Sequence, residues 1–272
     1  MTTYYLADHD TDDYPGGAEK VDYNIYTALK IPFWRLGTKG NPHINKSDTY
    51  ILGNAVLLTQ ETKNVLMSYG NYCIFEHDYK IHPSRQPHRY PGGVFPKEEL
   101  INLSFYKNAK AVFLQTQNHL EGFRSNNVPG NLINLSTSIW SEDELMTLSS
   151  SRRDTKGTHH FAIIGNQTSD KGSDIAIKFC KDNSLDYTVL PTLPLKEFYK
   201  ELSKYPALIY FPRVRESFCR LVVEARCLLL NVITNKNYGA VCEPWFSKNG
   251  PDMITFLRER TKQNLATIQS YL

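Results

Sequence analysis

Short apolar runs exchange with stretches of helical periodicity along almost the whole chain, and this alternation narrows the fold more than any other feature. "TTYYLA" reads as a strand, and a turn-rich "DHDTDDYPGG" follows it. From Ala18, Val21, Ile25, Ala28 and Leu29 recur at helical spacing. "TYILGNAVLL" and "NYCIFEHD" read as further strands, with a helix over "TQETKNVLMSYG" between them, capped by Thr59 and stopped by Gly70. "AKAVFLQT" gives another strand, "QNHLEGFRSN" a short helix, and "NLINLST" closes this half. Alternation of this kind predicts parallel sheets covered by helices on both faces.

The polar stretch "SSSRRDTKGTHH" at 149–160 interrupts the pattern and has the composition of an interdomain linker. The alternation then restarts with "FAIIGN", "SDIAIKFCKDN", "DYTVLP", "PLKEFYKELSKY", "ALIYFP", a helix over "ESFCRLVVEARCLL", and "NVITN" as a strand. The tail "PDMITFLRERTKQNLATIQSYL" reads as a long final helix. The expected organisation is an α/β chain with two successive Rossmann-like parallel-sheet domains, 1–150 and 151–250, and a helix over 251–272. At 272 residues the chain is short for two full domains, so trimmed loops are expected.

The formal charge is only +3, so no global basic field points to nucleic acid, although local basic patches remain open. Five cysteines, an odd count without a CxxC pair, argue against a disulfide framework or a zinc cluster. They suit a reducing cytosol. "MTTYYLADHD" lacks the basic-then-apolar pattern of a signal peptide. "CLLLNVI" is far too short to cross a bilayer. The expectation is a cytoplasmic protein without a membrane span; its oligomeric state is not legible.

The most informative segment is "RVRESFCRLVVEAR". Glu216 and Glu224 stand eight positions apart, one just after the strand "ALIYFP" and one inside a helix with Phe218, Leu221, Val222, Ala225 and Leu229 at apolar positions. A buried carboxylate is costly unless something pairs with it. Glu216 falls at the C-terminal edge of a sheet, where open α/β sheets bind ligands. Backbone N–H groups of Ser217, Phe218 and Cys219, expected to open the helix, would suit anionic or hydroxyl-rich groups. Glu224 is expected to accept hydrogen bonds from a diol such as a ribose.

On these residues the sequence resembles retaining glycosyltransferases of the GT-B class, close to glycosyltransferase family 4. The resemblance rests on Glu, seven residues, Glu, then a small residue and a buried strand, here "ESFCRLVVEARCLLLNVIT". It implies a GT-B fold with a cleft between two domains and a final helix crossing back toward the first. It implies that Glu216 contacts the donor sugar and that Glu224 binds the nucleotide ribose. "LLLN" stands where the family usually has glycine and proline. "FAIIGNQTSDKGSDIAI" resembles the opening of the second domain, with Lys171 meeting the donor diphosphate as a point charge. The arginine often found after the first glycine is replaced by Asn166, and Arg213, Arg215 or Arg220 is left to supply that charge. "DDYPGGAEKVDYNIY" resembles the family's entry to the first helix, where Gly16 and Gly17 let the backbone approach the donor. The resemblance implies a nucleotide-sugar donor, most simply a UDP-sugar, with no metal or other cofactor required.

His77 and Asp78 follow the strand "NYCIFE". They are candidates for a contact to sugar or acceptor and for an acceptor-side base. The loop "DYKIHPSRQPHRYPGGVFPK" interleaves Lys80, Arg85 and Arg89 with Tyr79, His82, His88, Tyr90 and Phe95. That mixture suits phosphate contacts and base stacking, and equally an ordinary solvated loop. "FEHDYKIHPSRQPHRYP", "PKEELINLSFYKNAKAVFLQT", "LSTSIWSEDEL" and "CRLVVEARCLLLNVITNK" also resemble glycosyltransferases of large tailed phages. That resemblance makes a 5-hydroxymethyl pyrimidine in DNA a candidate acceptor, reached in the groove or flipped out of the stack. A glycan, protein or small-molecule acceptor stays open. Two rivals stand beside this reading: a metal enzyme built on Asp8, Asp10 and Asp12, and a non-catalytic module that binds a nucleotide sugar or DNA.

Overall fold

The structure, a computed structural model, describes residues 1–14, 16–151, 159–165, 169–235 and 237–272. Most of the expected linker, at 152–158, and Asn166 lie outside the described residues. Contacts between Cα atoms divide the chain into Met1–Ile139 with Arg260–Leu272, and Trp140–Glu259.

The first unit carries β1 (Thr3–Ala7), α1 (Gly17–Leu29), β2 (Phe33–Arg35), α2 (Leu36–Lys39), β3 (Thr49–Leu52), α3 (Gln60–Tyr69) and β4 (Tyr72–Phe75). It continues with α4 (Leu103–Asn108), β5 (Val112–Leu114), α5 (Gln117–Ser125) and β6 (Leu132–Asn134). Among the described residues its sheet is six-stranded, ordered β2-β1-β3-β4-β5-β6, and every pairing is parallel. β3 and β4 are buried along their full length. This is why they read as continuous apolar runs rather than alternating ones.

The second unit carries α6 (Glu142–Ser150), β7 (Phe161–Ile164), α7 (Ser173–Asp182), β8 (Tyr187–Leu190) and α8 (Leu195–Leu202). It closes with β9 (Ala207–Tyr210), α9 (Arg220–Cys227), β10 (Asn231–Thr234) and the start of α10 (Gly250–Gln269). Its parallel sheet runs β10-β9-β7-β8 among the described residues. Met253, Ile254 and Leu257 of α10 join the core of this unit with Val222, Val223 and Trp245. Leu265 and Ile268 pack instead into the cluster of Tyr5, Ile25 and Phe75.

Local chemistry sets the ends of these elements. Thr59 Oγ accepts from Thr62 N at 3.3 Å, and Gly70 stops α3 in the left-handed region at φ 65°. Four elements escape the sequence pattern. β2, α2 and α4 are too short to show a period, and α6 occupies the stretch just before the expected linker, overlapping it only at Ser149 and Ser150. Ser141 and Glu144 nevertheless form a reciprocal capping box at the start of α6, a signal present in "SEDE". "TYILGNAVLL" yields strand only through Leu52, because Val56 and Leu57 turn away to donate their N–H groups to Asp8, at 2.8 and 2.9 Å. The helix expected from Glu216 begins at Arg220, behind Cys219 in a left-handed conformation at φ 72°. Among the described residues no helix is long and apolar enough to cross a membrane.

Candidate functional site

In the second unit the chain runs from β7 outward to β8 and then returns to place β9 on the other side of β7. The C-terminal ends of β7 and β9 therefore form the point where strand order reverses, the usual ligand position in an open parallel sheet. Lys171 lies in the connection that leaves β7, and Glu216 in the connection that leaves β9.

The fold brings these two side chains together. Lys171 Nζ donates to Glu216 Oε1 at 2.6 Å, and Tyr210 Oη donates to the same oxygen at 2.6 Å. Burial works against the charge on Glu216, yet Lys171, Tyr210 and the Cys219 thiol together hold its carboxyl below the usual range. Burial likewise opposes the charge on Lys171, and Glu216 outweighs it, so the ammonium is held above its ordinary value. Burial, with the neighbouring Cys219 and Glu216, pushes the Tyr210 phenol far up, leaving it a neutral donor.

The backbone around this pair is tightly set. Glu216 bridges to Tyr238, its N–H bonding Asn237 O at 2.8 Å while its carbonyl accepts from Gly239 N at 3.0 Å. Gly172 follows Lys171 at φ 66°, and a Cβ there would stand 1.9 Å from the Phe211 carbonyl oxygen, so only glycine fits. Cys219 holds positive φ without being glycine, a strained conformation next to Glu216. The N–H groups opening α9 belong to residues from Arg220 onward, not to Ser217, Phe218 and Cys219. The Phe218 carbonyl is taken by Ala240 N at 3.1 Å. Phe218 and Cys219 are buried, and Ser217 is half-buried.

Glu224, on α9, is buried and lies 3.5 Å from Arg220 Nε. The Arg220 guanidinium also binds Glu144 and stacks 3.8 Å from the Trp140 ring centroid. Burial opposes its charge while Glu144 and Glu224 restore it, so the guanidinium is held above its ordinary value. A diphosphate would have to compete with two carboxylates for it. Arg213 is spent on Asp174, at 2.7 Å through Nη1, and Arg215 is half-buried. Tyr210, Glu144 and Trp140 were missed by sequence reasoning. Only Tyr210 had a visible signal, as the last residue of a strand facing the motif.

In the first unit Gly16 and Gly17 open α1. Nothing stands within 4 Å of a Cβ built on Gly17, whereas one on Gly16 would meet Glu19 Oε2 at 2.2 Å. His77 and Asp78 follow β4. His77 Nε2 lies 2.6 Å from Asp22 Oδ1. Asp22 falls on the apolar stripe of α1 with Val21 and Ile25, and an acid in such a stripe was the signal for it. Burial raises Asp78 but Lys80 and Arg85 outweigh it, so its carboxyl is held below the usual range and is a weak base at neutral pH. The buried His119, pushed by burial down to about 3, bonds the Asp78 carbonyl at 2.7 Å through Nε2.

The basic loop is organised inward. Lys80 Nζ bonds the fully buried Glu76 at 2.5 Å and lies 3.3 Å from Asp78 Oδ1. Tyr106 Oη donates to the other Glu76 oxygen. Tyr79, His82 and Phe95 are buried, with His82 stacked on Phe95 at 4.4 Å between centroids. Arg85 and Arg89 remain exposed, Arg85 at 3.1 Å from Asp78 Oδ2. Asp10 and Asp13 are bound to Arg35, and no group of three His, Cys, Asp or Glu side chains suited to a metal ion occurs among the described residues.

No protein-family model matches the chain, and no curated protein does. Solved structures do. HepE of Anabaena, in complex with UDP and glucose, aligns at TM-score 0.56 and 14% identity, over 100% of this chain and 92% of its own. Sucrose-phosphate synthase of Thermosynechococcus elongatus aligns at 0.55 and 8%, over 99% and 98%. The α,α-trehalose 6-phosphate synthase of Burkholderia multivorans aligns at 0.51 and 11%, over 97% and 74%. The chain has the GT-B fold. At these identities the likeness concerns the fold, and a GT-B fold leaves the chemistry to be argued from the side chains.

Proposed function

We propose that this chain is a glycosyltransferase that moves a sugar from a nucleotide-sugar donor, most simply a UDP-sugar, to an acceptor hydroxyl with retention of configuration. The observation that carries the proposal is the Lys171–Glu216 pair at the strand-order reversal of the second sheet. The ammonium is the mobile partner of that pair. An arriving diphosphate competes for it and brings two anionic oxygens where Glu216 offers one carboxylate. Glu216, still anchored by Tyr210, is then turned to the donor sugar and accepts from its hydroxyls. The acceptor oxygen bonds the anomeric carbon, the bond to the diphosphate breaks with its electron pair leaving on phosphate, and the departing phosphate oxygen takes up the acceptor hydroxyl's proton. Lys171 with Arg215 offsets that developing charge. Glu224 takes the ribose by exchanging part of its contact with Arg220. HepE, which has the same fold, is solved with UDP and glucose, and this supports the choice of donor.

For the acceptor, the exposed Arg85 and Arg89 support a 5-hydroxymethyl pyrimidine in DNA, met through backbone phosphates. One observation favours a glycan or small molecule instead: Tyr79, His82 and Phe95 pack inside the unit and offer no open face to a base. A panel of nucleotide sugars incubated with hydroxymethylcytosine, hydroxymethyluracil and unmodified DNA, and with simple glycans, read by mass spectrometry, tests both. Transfer by the wild type that disappears in Glu216→Gln supports the proposal. Binding of the donor without turnover on any acceptor or water would favour the non-catalytic module.

A further inference from the structure

We propose that Asp22 is a positioning residue that keeps a proton on Nε2 of His77, so that the ring meets its surroundings through Nδ1 in one fixed orientation. The functional half of this inference rests on the glycosyltransferase reading; the structural half stands on its own.

Asp22 lies on α1, only 1% exposed, in a niche built by the middle of β1 and the turns that follow β3 and β4. Tyr5 of β1 donates its hydroxyl to Oδ1 at 2.6 Å, and His77, past β4, meets the same oxygen through Nε2 at 2.6 Å. Past β3, the backbone N–H of Asn54 donates to Oδ2 at 3.0 Å. Gly53 completes the niche, because a Cβ on it would stand 2.4 Å from Oδ1 and push the carboxyl out. The site is thus fitted to a carboxylate, not to any small polar side chain.

Both carboxylate oxygens can only accept, so the imidazole nitrogen 2.6 Å from Oδ1 must be the one carrying hydrogen. This holds whether the ring is neutral or protonated. The other ring nitrogen then carries the ring's variable chemistry at the C-terminal edge of the first sheet, where ligands of such sheets bind.

The niche also says what replacing the carboxylate does. In Asp22→Asn one oxygen becomes an amide NH₂, which can only donate. The Asn54 N–H is a fixed donor and takes the remaining oxygen. The NH₂ then faces Tyr5 Oη, which can rotate to accept, and His77 Nε2, which accepts only by giving up its proton. The imidazole proton moves to Nδ1, and the ring presents a donor where the native neutral ring presents an acceptor. The same exchange in a Ser-His-Asp triad costs ~10⁴ in kcat through the wrong tautomer.

The test is nitrogen-15 NMR of the imidazole side chains, with His77→Gln identifying the His77 signals. In the wild type, Nε2 is expected to carry a proton in both the neutral and the protonated ring. In Asp22→Asn, Nε2 is expected to lose its proton to Nδ1, while Tyr5→Phe, which leaves the carboxylate in place, keeps it on Nε2. A wild-type ring protonated only on Nδ1, or an Asp22→Asn ring unchanged, overturns the inference even if Asp22→Asn folds poorly, since the wild-type spectrum decides the first point. On activity, kcat is expected to fall at least ~10-fold in Asp22→Asn with donor KM within ~3-fold of wild type. Full kcat in Asp22→Asn alongside an inactive His77→Gln overturns the functional half. A wild type that turns over no donor sinks the glycosyltransferase reading and leaves the spectra to decide Asp22.

Discussion

Lys171 and Glu216 are 45 positions apart in sequence and 2.6 Å apart in the fold, drawn together because β9 returns beside β7. The pair is a partly exposed ammonium–carboxylate contact at the point where strand order reverses.

The pair also makes stability depend on pH in a readable way. Glu216 has a lowered carboxyl, so its contribution is complete above the ordinary value of about 4.3 and is lost as pH falls through the folded value. Lys171 is raised, so its contribution is complete below about 10.4 and is lost as pH rises through its folded value. Melting temperature measured across both limbs should therefore fall less steeply in acid for Glu216→Gln than for the wild type. The variant should also lose the part of the alkaline decline that comes from Lys171, because without Glu216 burial acts on the ammonium and lowers its value instead of raising it. Identical acid limbs would contradict the pairing.

Two glycines separate folding from binding. Gly172→Ala should unfold the second unit or destabilise it by more than ~2 kcal/mol, because the Phe211 carbonyl stands 1.9 Å from the new Cβ and the backbone is left-handed. Gly17→Ala meets nothing within 4 Å and sits in the first turn of α1, so it should leave thermal stability unchanged or raised by up to ~1 kcal/mol. If Gly17 lies against the donor, Gly17→Ala will weaken donor affinity without touching the melting temperature, and calorimetry reads that difference.

Much of this was legible in the sequence. The α3 boundaries followed from Thr59 and Gly70 because caps are local chemistry. The strands followed from runs such as "YCIF", buried on both faces. The start of α9 was misplaced by one turn because an unbroken apolar period ran through Phe218, while the chain there breaks at Cys219 with positive φ, which a non-glycine residue does not advertise. Partners were the least legible. Nothing near Glu224 in sequence announces Glu144 or Trp140, and nothing near His77 announces Asp22. Such pairs are set by strand order, which periodicity does not encode.

Lys80 and its neighbours on the loop should part company under mutation. Lys80→Met leaves Glu76 buried with its charge uncompensated, which costs about 3–5 kcal/mol, so a large fall in melting temperature is expected. Arg85→Ala and Arg89→Ala remove exposed side chains and should leave stability within ~0.5 kcal/mol. If the acceptor is DNA, each arginine that meets a phosphate should lower the slope of log affinity against log salt by about 0.9. Unchanged slopes in both variants would point to a glycan or small molecule.

Glu224 is expected to matter twice. Glu224→Ala removes one carboxylate from Arg220, which keeps Glu144 and the Trp140 face, so the loss of stability should be moderate, about 1–3 kcal/mol. Glu224→Gln keeps the shape and should preserve more stability than affinity for the nucleotide. Equal losses of both in the two variants would make Glu224 a purely structural partner of Arg220.

Calorimetric titration of UDP into the wild type, Lys171→Met and Glu216→Gln probes the strand-reversal site most directly. Saturable binding by the wild type, weakened at least ~10-fold in Lys171→Met and retained in Glu216→Gln, is the predicted result. UDP binding that is equal in the wild type and Lys171→Met, with both proteins folded, would contradict it.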